Sequence, residues 1–326
     1  MSEKITKKDL REYYEKHFDE SQMLQVMIDI PFHKREFGFE LSEGIFIRNR
    51  SFPSVEEFKE FLIYEAPSAV YIGAIYEDAV KRDRTIRDVA WEGHELVFDF
   101  DADEYDSVRN CGCKGAQVCI ICWSLMQDAA LFIEETLRND FGLKDLIWTF
   151  SGRRGIHCWV KDEVVIPLDQ NQRNSLIGYL TLIHDPKGEQ RVELPSDYAR
   201  PLYERIYTIL GSSFLRHTTI EELKELGLTK REAGVIFERI SQTKRRFTPR
   251  EIQSLISLEH EQKFIERAIL MRAARIDHKV TIDIRRLLRC PGSIHGKAGK
   301  PCIIIEGRIA DFYPEDVPTL KEILEK

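Results

Sequence analysis

The chain has 326 residues, 43% of them hydrophobic, with 48 Lys and Arg against 55 Asp and Glu for a net charge of −7. That is enough apolar content for one large domain or two, and the acidic balance gives no global signal for nucleic acid. No apolar run approaches the ~18 residues needed to cross a membrane, and the opening MSEKITKKDLREYYEK is too polar for a signal peptide.

From the N-terminus, residues 6–29 read as helical up to Pro31. Segments 35–40 (REFGFE) and 44–48 (GIFIR) alternate like two strands of a hairpin, with a turn at Ser42, Glu43 and Gly44. Residues 54–65 predict a helix capped by Ser54, and 68–75 (SAVYIGAI) a buried strand. In HELVFDFDADEYD (94–106), Asp99 and Asp101 share one face of a strand whose other face carries Leu96, Phe98 and Phe100. Leu125, Ala129, Ile133 and Leu137 mark a helix face that Gly142 ends. LIWTF (146–150) and IHCWV (156–160) are strands joined by Ser-Gly-Arg-Arg-Gly. From 171 to 273 the pattern is helical, and strand character returns at KVTIDI (279–284) and CIIIEG (302–307). The reading is an α/β core over 1–170 and 274–326 with a helical subdomain inserted at 171–273.

An intracellular, reducing location is expected, so the seven cysteines are not read as a disulfide framework. Four of them, Cys111, Cys113, Cys119 and Cys122, fit C-x-C-x5-C-x2-C within NCGCKGAQVCIICW. Cysteine is often just a small buried hydrophobe, but four in twelve residues among Gly, Lys and Gln suit a tetrahedral zinc ion. With all four ligand places filled, that Zn2+ is structural, in a module over about 108–123.

Asp99 and Asp101 repel each other unless something positive lies between them. A solvated acid pair is the bland reading; their place inside an apolar strand favours Mg2+ or Mn2+, hard cations that choose carboxylate oxygen. In FSGRRGIHCWV, Ser151, Gly152 and Gly155 allow a tight turn, Arg153 and Arg154 can fork onto phosphate, and His157 follows within reach. The stretch from Met271 to Lys300 holds eight Lys and Arg against two Asp. It offers Asp277 and Asp283 as acids, with Arg289, His295 and Lys297 as phosphate contacts. Singly each is more often a surface residue. Together they describe a pocket for a triphosphate and metal ions.

ELVFDFDADEYDSVR, the cysteine cluster, SGRRGIHCWVKDE and LLRCPGSIH together resemble the catalytic small subunit of the archaeal and eukaryotic DNA primase, with SGRRGIHCWV closer to the eukaryotic wording. The resemblance implies a mixed-sheet α/β catalytic core with a zinc module and a helical subdomain. It implies Asp99, Asp101 and Asp277 as catalytic metal ligands, with Asp283 as runner-up. Ser151, Arg153, Arg154, His157, Arg289 and His295 would hold the nucleotide, and Glu36 and Arg48 match positions lining its site. At Arg289 the family often has Lys, and the cysteine spacing departs slightly at Cys111. The implied activity is synthesis of short RNA primers from ribonucleoside triphosphates on single-stranded DNA. The implied partners are a large subunit carrying an iron–sulfur domain, in a heterodimer, and the replicative DNA polymerase complex, with nuclear location if the source is eukaryotic. Two alternatives differ in kind: a repair polymerase of the same superfamily that extends primers, and a zinc-stabilised single-strand-binding subunit with vestigial acids. The eukaryote-like wording and the lack of an appended domain argue against the first, and the intact aspartates and loop arginines against the second.

Overall fold

The computed structural model describes residues 5–41, 44–80, 89–184, 191–192, 205, 218–242, 251 and 254–326. It opens with α1 (Lys7–Lys16), α2 (Glu20–Val26), β1 (Arg35–Glu40), β2 (Phe46–Arg50), α3 (Val55–Glu65) and β3 (Ala69–Tyr76). There follow β4 (Trp91–Gly93), β5 (Leu96–Asp101), α4 (Ile120–Asp140), β6 (Leu146–Phe150), β7 (Gly155–Val160) and α5 (Gln170–Leu180). A short ribbon, β8 (Ile183–His184) and β9 (Arg191–Val192), precedes α6 (Ile220–Glu225), α7 (Lys230–Gln242) and α8 (Leu258–Arg272). The chain closes with α9 (His278–Ile282), β10 (Leu288–Arg289), β11 (Ile294–His295), β12 (Lys300–Pro301), β13 (Ile303–Ile304) and α10 (Leu320–Leu324).

Two contact units divide these elements. One comprises 1–99, 144–177 and 277–326, the other 100–143 and 178–276. The segment expected to be a helical insertion, 171–273, overlaps the second unit, which also takes in 100–143.

In the first unit, one antiparallel sheet has the order β10-β3-β1-β2, with β4 also paired to β3. A second sheet has the order β13-β6-β7-β5. The core lies where Phe37 and Phe39 of β1 meet Phe58 of α3, with the Phe37 and Phe58 rings 4.7 Å apart. Helix α1 adds Leu10, Tyr13 and Tyr14, a spacing that gathers one face. Its start is fixed by a capping box between Thr6 and Asp9. Ser54 caps α3 as the sequence predicts. The polar residues that open β1 are not solvated: Arg35 and Glu36 are both buried. Arg35 forks onto Glu95 with two 2.7 Å bonds. Burial alone would raise the Glu95 pKa, but Arg35 and His94 hold it well below the usual carboxylate range.

Two expectations change and a third cannot be followed. The stretch 6–29 is two helices, because Asp19 caps a new one through the Ser21 amide. Of the turn at 42–44, Ser42 and Glu43 lie outside the described residues. The KVTIDI stretch is not a strand. Its β-branched residues suggest one, yet Asp277 caps α9 by accepting from the Lys279 amide, and Thr281 donates to the Val97 carbonyl at 2.8 Å.

In the second unit, α4 buries Leu125, Ala129, Ile133 and Leu137. It ends at Gly142 (φ 69°), across which the Leu143 amide reaches back to Leu137. Helix α8 buries Phe264, Ile265, Ala268 and Ile269, and its Arg272 binds Ser124 and Asp128 of α4.

Candidate functional site

Strand β5 alternates as its sequence predicts: Phe98 and Phe100 are fully buried, whereas Asp99 and Asp101 are partly exposed on the other face. The Asp99 Oδ1 atom faces His157 Nε2 of β7 at 3.4 Å. The backbone amide of Asp277 donates to the Asp99 carbonyl at 3.0 Å, laying the start of α9 beside β5. A fully buried arginine fixes this arrangement. Arg173 donates to the carbonyls of Leu168, His94, Glu95 and Thr281, at 2.9, 2.7, 3.2 and 3.5 Å. Asp99 and His157 thus face each other with the backbone of Asp277 beside Asp99; among the described residues, the ligand atoms gathered closely enough to hold a metal ion are those of the cysteine cluster, not of the acids. Asp283 is exposed and accepts from the Arg285 amide.

The acids supply oxygen donors alone, partly exposed, on well-fixed backbone, a set that fits a hard divalent cation. The Asp99 carboxylate faces His157, and the Asp277 carboxylate accepts from the Lys279 amide.

The turn between β6 and β7 forms the second patch. Ser151 closes it, its amide donating to the Gly155 carbonyl and its hydroxyl accepting from the Gly155 amide. Gly152 has φ 88°, and a Cβ there would lie 2.8 Å from the Lys300 carbonyl oxygen and 2.9 Å from the His295 Cβ. Only glycine lets this turn press so closely onto β11 and β12. Arg153, Arg289 and His295 then line one cavity of about 1270 Å³. Arg154 shares the turn but not the cavity wall.

The electrostatics of that cavity are one-sided. Burial pushes the His295 pKa down to about 4, assisted by the charges of Arg289, Arg153 and Lys297. Its ring is neutral near pH 7, and its buried Nδ1 has no hydrogen-bond partner. Two arginines beside a neutral histidine with an unused polar atom make a setting that a bound anion relieves.

Glu36 and Arg48 form a third patch. Glu36 is fully buried and accepts from Arg48 Nε at 2.9 Å, Arg48 Nη2 at 3.2 Å, the Asn49 amide and the Tyr76 hydroxyl. Arg48 also donates to the Arg285 carbonyl. Glu36 therefore orients Arg48, and neither residue lines the cavity.

Sequence reasoning missed Tyr71. Arg289 lies opposite it in the β10–β3 register, stands 5.2 Å over its ring and donates to its hydroxyl at 3.4 Å. The only signal was a phenol within the aliphatic run SAVYIGAI; its partner is set by long-range pairing. Ser293 was missed too: it is buried and accepts from the Val70 amide at 2.8 Å, tying the start of β11 to β3.

In the second unit, the ligand atoms of Cys111, Cys113, Cys119 and Cys122 all lie within 4.8 Å of one another. The Cys119 and Cys122 sulfurs are 3.8 Å apart, and tetrahedral bonds of about 2.3 Å to zinc require sulfurs about 3.8 Å apart. The four residues fit a zinc ion. Burial would raise the Cys119 pKa, but hydrogen bonds from the Cys122 backbone and neighbouring thiols bring it down to about 7. Cys113, bonded to Cys119 and Cys111, is pushed up to about 12. Arg109 pins the loop by donating to the carbonyls of Gln117 and Gly115 and to Asp106.

Comparison with known proteins adds independent findings. The family model for the DNA primase small subunit matches residues 98–306. The DNA primase small subunit of Saccharomyces cerevisiae is 31% identical over 320 residues, 89% of this chain and 76% of that protein. The DNA primase small subunit PriS of Thermococcus sibiricus is 27% identical, over 99% of this chain and 94% of that one. Among solved structures, the polymerase domain of Mycobacterium tuberculosis ligase D in complex with DNA aligns with a TM-score of 0.42 at 12% identity. It covers 98% of this chain and 88% of that one, a likeness too distant to weigh. No helix among the described residues is long and apolar enough to cross a membrane. With a family model over more than half the chain and relatives along nearly all of it, the chain belongs to the DNA primase small subunit family and is a primase, a nucleotidyltransferase.

Proposed function

We propose that Asp99, Asp101 and Asp277 hold the catalytic Mg2+ or Mn2+, and that Ser151, Arg153, Arg154, His157, Arg289 and His295 hold a ribonucleoside triphosphate, with Glu36 and Arg48 beside it. The observation that carries this reading is the cavity in which Arg153, Arg289 and a neutral His295 meet with so little to balance them.

In the reaction, the 3′-hydroxyl oxygen of one nucleotide bonds to the α-phosphorus of the next. The bond from that phosphorus to the bridging oxygen breaks, pyrophosphate leaves, and the hydroxyl proton goes to solvent. Divalent cations at the aspartates supply positive charge that favours the ionised hydroxyl and the leaving group. Arg153 and Arg289 carry charge to the β- and γ-phosphates, where forked bonds fix the chain of phosphates for in-line displacement. His295 offers a ring nitrogen to a phosphate oxygen and gains a proton there as anionic charge offsets its cationic neighbours. His157 holds the Asp99 carboxylate in one orientation.

The zinc at the cysteine cluster is structural, since all four ligand positions are sulfur. The proposed organisation is a catalytic core over 1–170 and 274–326, a zinc module at about 108–123 and a helical subdomain at 171–273. The relatives' name, small subunit, supports a larger primase subunit as partner, with single-stranded DNA as template. Further out we place the replicative polymerase complex, and the nucleus if the source is eukaryotic. The test is synthesis of a dinucleotide from labelled ribonucleotides on unprimed single-stranded DNA. Wild-type chain should yield it and Arg153→Ala should not at the same nucleotide concentration. Equal yields would overturn the nucleotide assignment.

A further inference from the structure

The cavity lined by Arg153, Arg289 and His295 is larger than one nucleotide's phosphates need. Its volume, about 1270 Å³, exceeds the roughly 300–1,000 Å³ usual for a small-molecule pocket. It also takes in the first turns of α1 and α10, where Lys7 and Lys321 stand exposed, with exposed Lys297 in the loop after β11, close to His295. Five Lys and Arg line the whole cavity against one acid, Glu40.

We propose that this lysine wall is a second anion subsite, which receives inorganic pyrophosphate as it leaves the nucleotide. The inference rests on the assignment of Arg153, Arg289 and His295 to the triphosphate. With the α-phosphate at the aspartates and the arginines on the β- and γ-phosphates, the leaving group is the part of the substrate already inside this cavity. The lysines lie further along the same space.

The chemistry of the wall selects pyrophosphate over the other polyanions of the reaction. Lysine is a mobile point charge and suits an anion in transit; the planar fork of arginine suits one held in a fixed pose. A strand of nucleic acid or a second nucleotide needs a flat partner for its bases. Among the described residues lining the cavity there is no Phe, Tyr or Trp; its large apolar side chains are aliphatic, Ile5, Leu10, Leu41 and Leu320. Exposed lysines also bind weakly in salt, which favours release.

The test uses the full-length chain with inorganic pyrophosphate as the probe. Affinities for pyrophosphate, for a non-reacting nucleoside triphosphate and for single-stranded DNA are measured by calorimetry at one fixed low salt, for wild type and for Lys7→Ala/Lys321→Ala. The ratio of pyrophosphate to nucleotide affinity should fall about tenfold in the double variant, and pyrophosphate should become a weaker inhibitor of primer synthesis by a similar factor. An unchanged ratio overturns the proposal. A fall in DNA affinity with pyrophosphate binding intact overturns it too, by making the wall a path for template. Arg153→Ala serves as the control for the underlying assignment and should weaken both small ligands. If it binds nucleotide normally, that assignment is wrong and the pyrophosphate route falls with it, whatever the lysine variant does.

Discussion

The cysteine cluster and the aspartate-arginine site solve opposite problems. The four cysteines come from one stretch of twelve residues, and their sulfurs already stand within 4.8 Å of one another. The aspartates and phosphate contacts come from β5, the β6–β7 turn, the start of α9, β10 and β11, and their side chains rest on protein partners. The difference is electrostatic. Thiols that share protons can crowd without mutual charge, as the spread from about 7 at Cys119 to about 12 at Cys113 illustrates. Carboxylates ionised near pH 7 cannot. A soft-ligand site can therefore crowd its ligands into one short stretch, whereas a hard-ligand site spreads its carboxylates over separate backbone elements.

The contrast breaks most sharply at Asp99 and Asp101. Replacing either with Ala should lower primer synthesis about a thousandfold or more, the scale expected for lost charge stabilisation, with thermal melting unchanged. Activity retained in either variant would remove the acids from the mechanism. Next in size are the loop arginines. Arg154→Ala should weaken nucleotide binding about ten- to a hundredfold and leave affinity for single-stranded DNA, which depends on many dispersed contacts, almost unchanged at fixed salt. The reverse pattern would mean the turn grips template.

Cys119→Ser should invert that profile. Metal analysis of the wild type should find about one zinc per chain. The variant should lose it and melt about 5–10 °C lower, with nucleotide affinity nearly intact. A zinc-free preparation of normal melting and activity would refute a structural role. A smaller effect belongs to Tyr71→Phe, which keeps the ring beneath Arg289 and removes only its hydroxyl. It should raise the KM for nucleotide about threefold with kcat little altered, and Tyr71→Ala should do more. An unaltered KM in both would show that Arg289 needs no such support.

The smallest effect is on pH. His295 has a pKa of about 4 in the folded chain against about 6.5 when unfolded, so between those values the unfolded chain binds more protons. Stability is therefore lost as pH falls from about 6.5 to about 4. His295→Gln should recover about 1–2 °C of melting temperature at the acid end, without effect at pH 8. Nucleotide binding should reverse the direction, taking up a proton in the wild type that the variant does not. Equal uptake by both would place the proton elsewhere.

Legibility in the sequence tracked distance along the chain. The β6–β7 hairpin, the capped α3, the α4 face and the cysteine set each depend on residues within one short stretch of sequence, and the spacing alone gives them. Asp99 and Asp101 were visible because strand periodicity places both on one face. What periodicity could not supply was partnership across long separations: Arg289 with Tyr71, Ser293 with the Val70 amide, or Arg173 with the carbonyls of His94, Glu95 and Thr281. KVTIDI failed for a related reason. Its β-branched residues argue for a strand, but the Asp277 cap and the Thr281 bond to Val97 decide for a helical turn, and the second of these is a tertiary contact. The resemblance sets Glu36 beside the nucleotide; its burial under Arg48, Asn49 and Tyr76 is a tertiary feature that alternation does not carry.

The contact of Gly152 with β11 and β12 bears on how this protein can vary over generations. Its positive φ excludes most side chains, and the 2.8 and 2.9 Å approaches exclude even a methyl group. No neighbouring substitution offers an escape, because one obstacle is the Lys300 carbonyl, which every residue type possesses, and the other is the Cβ of His295, which every residue but glycine possesses. Two cationic segments far apart in sequence are thereby locked into a common history. Substitution at Gly152 is closed off on steric grounds, whereas Lys7 and Lys321 stand exposed and meet no such bar, so only function constrains them.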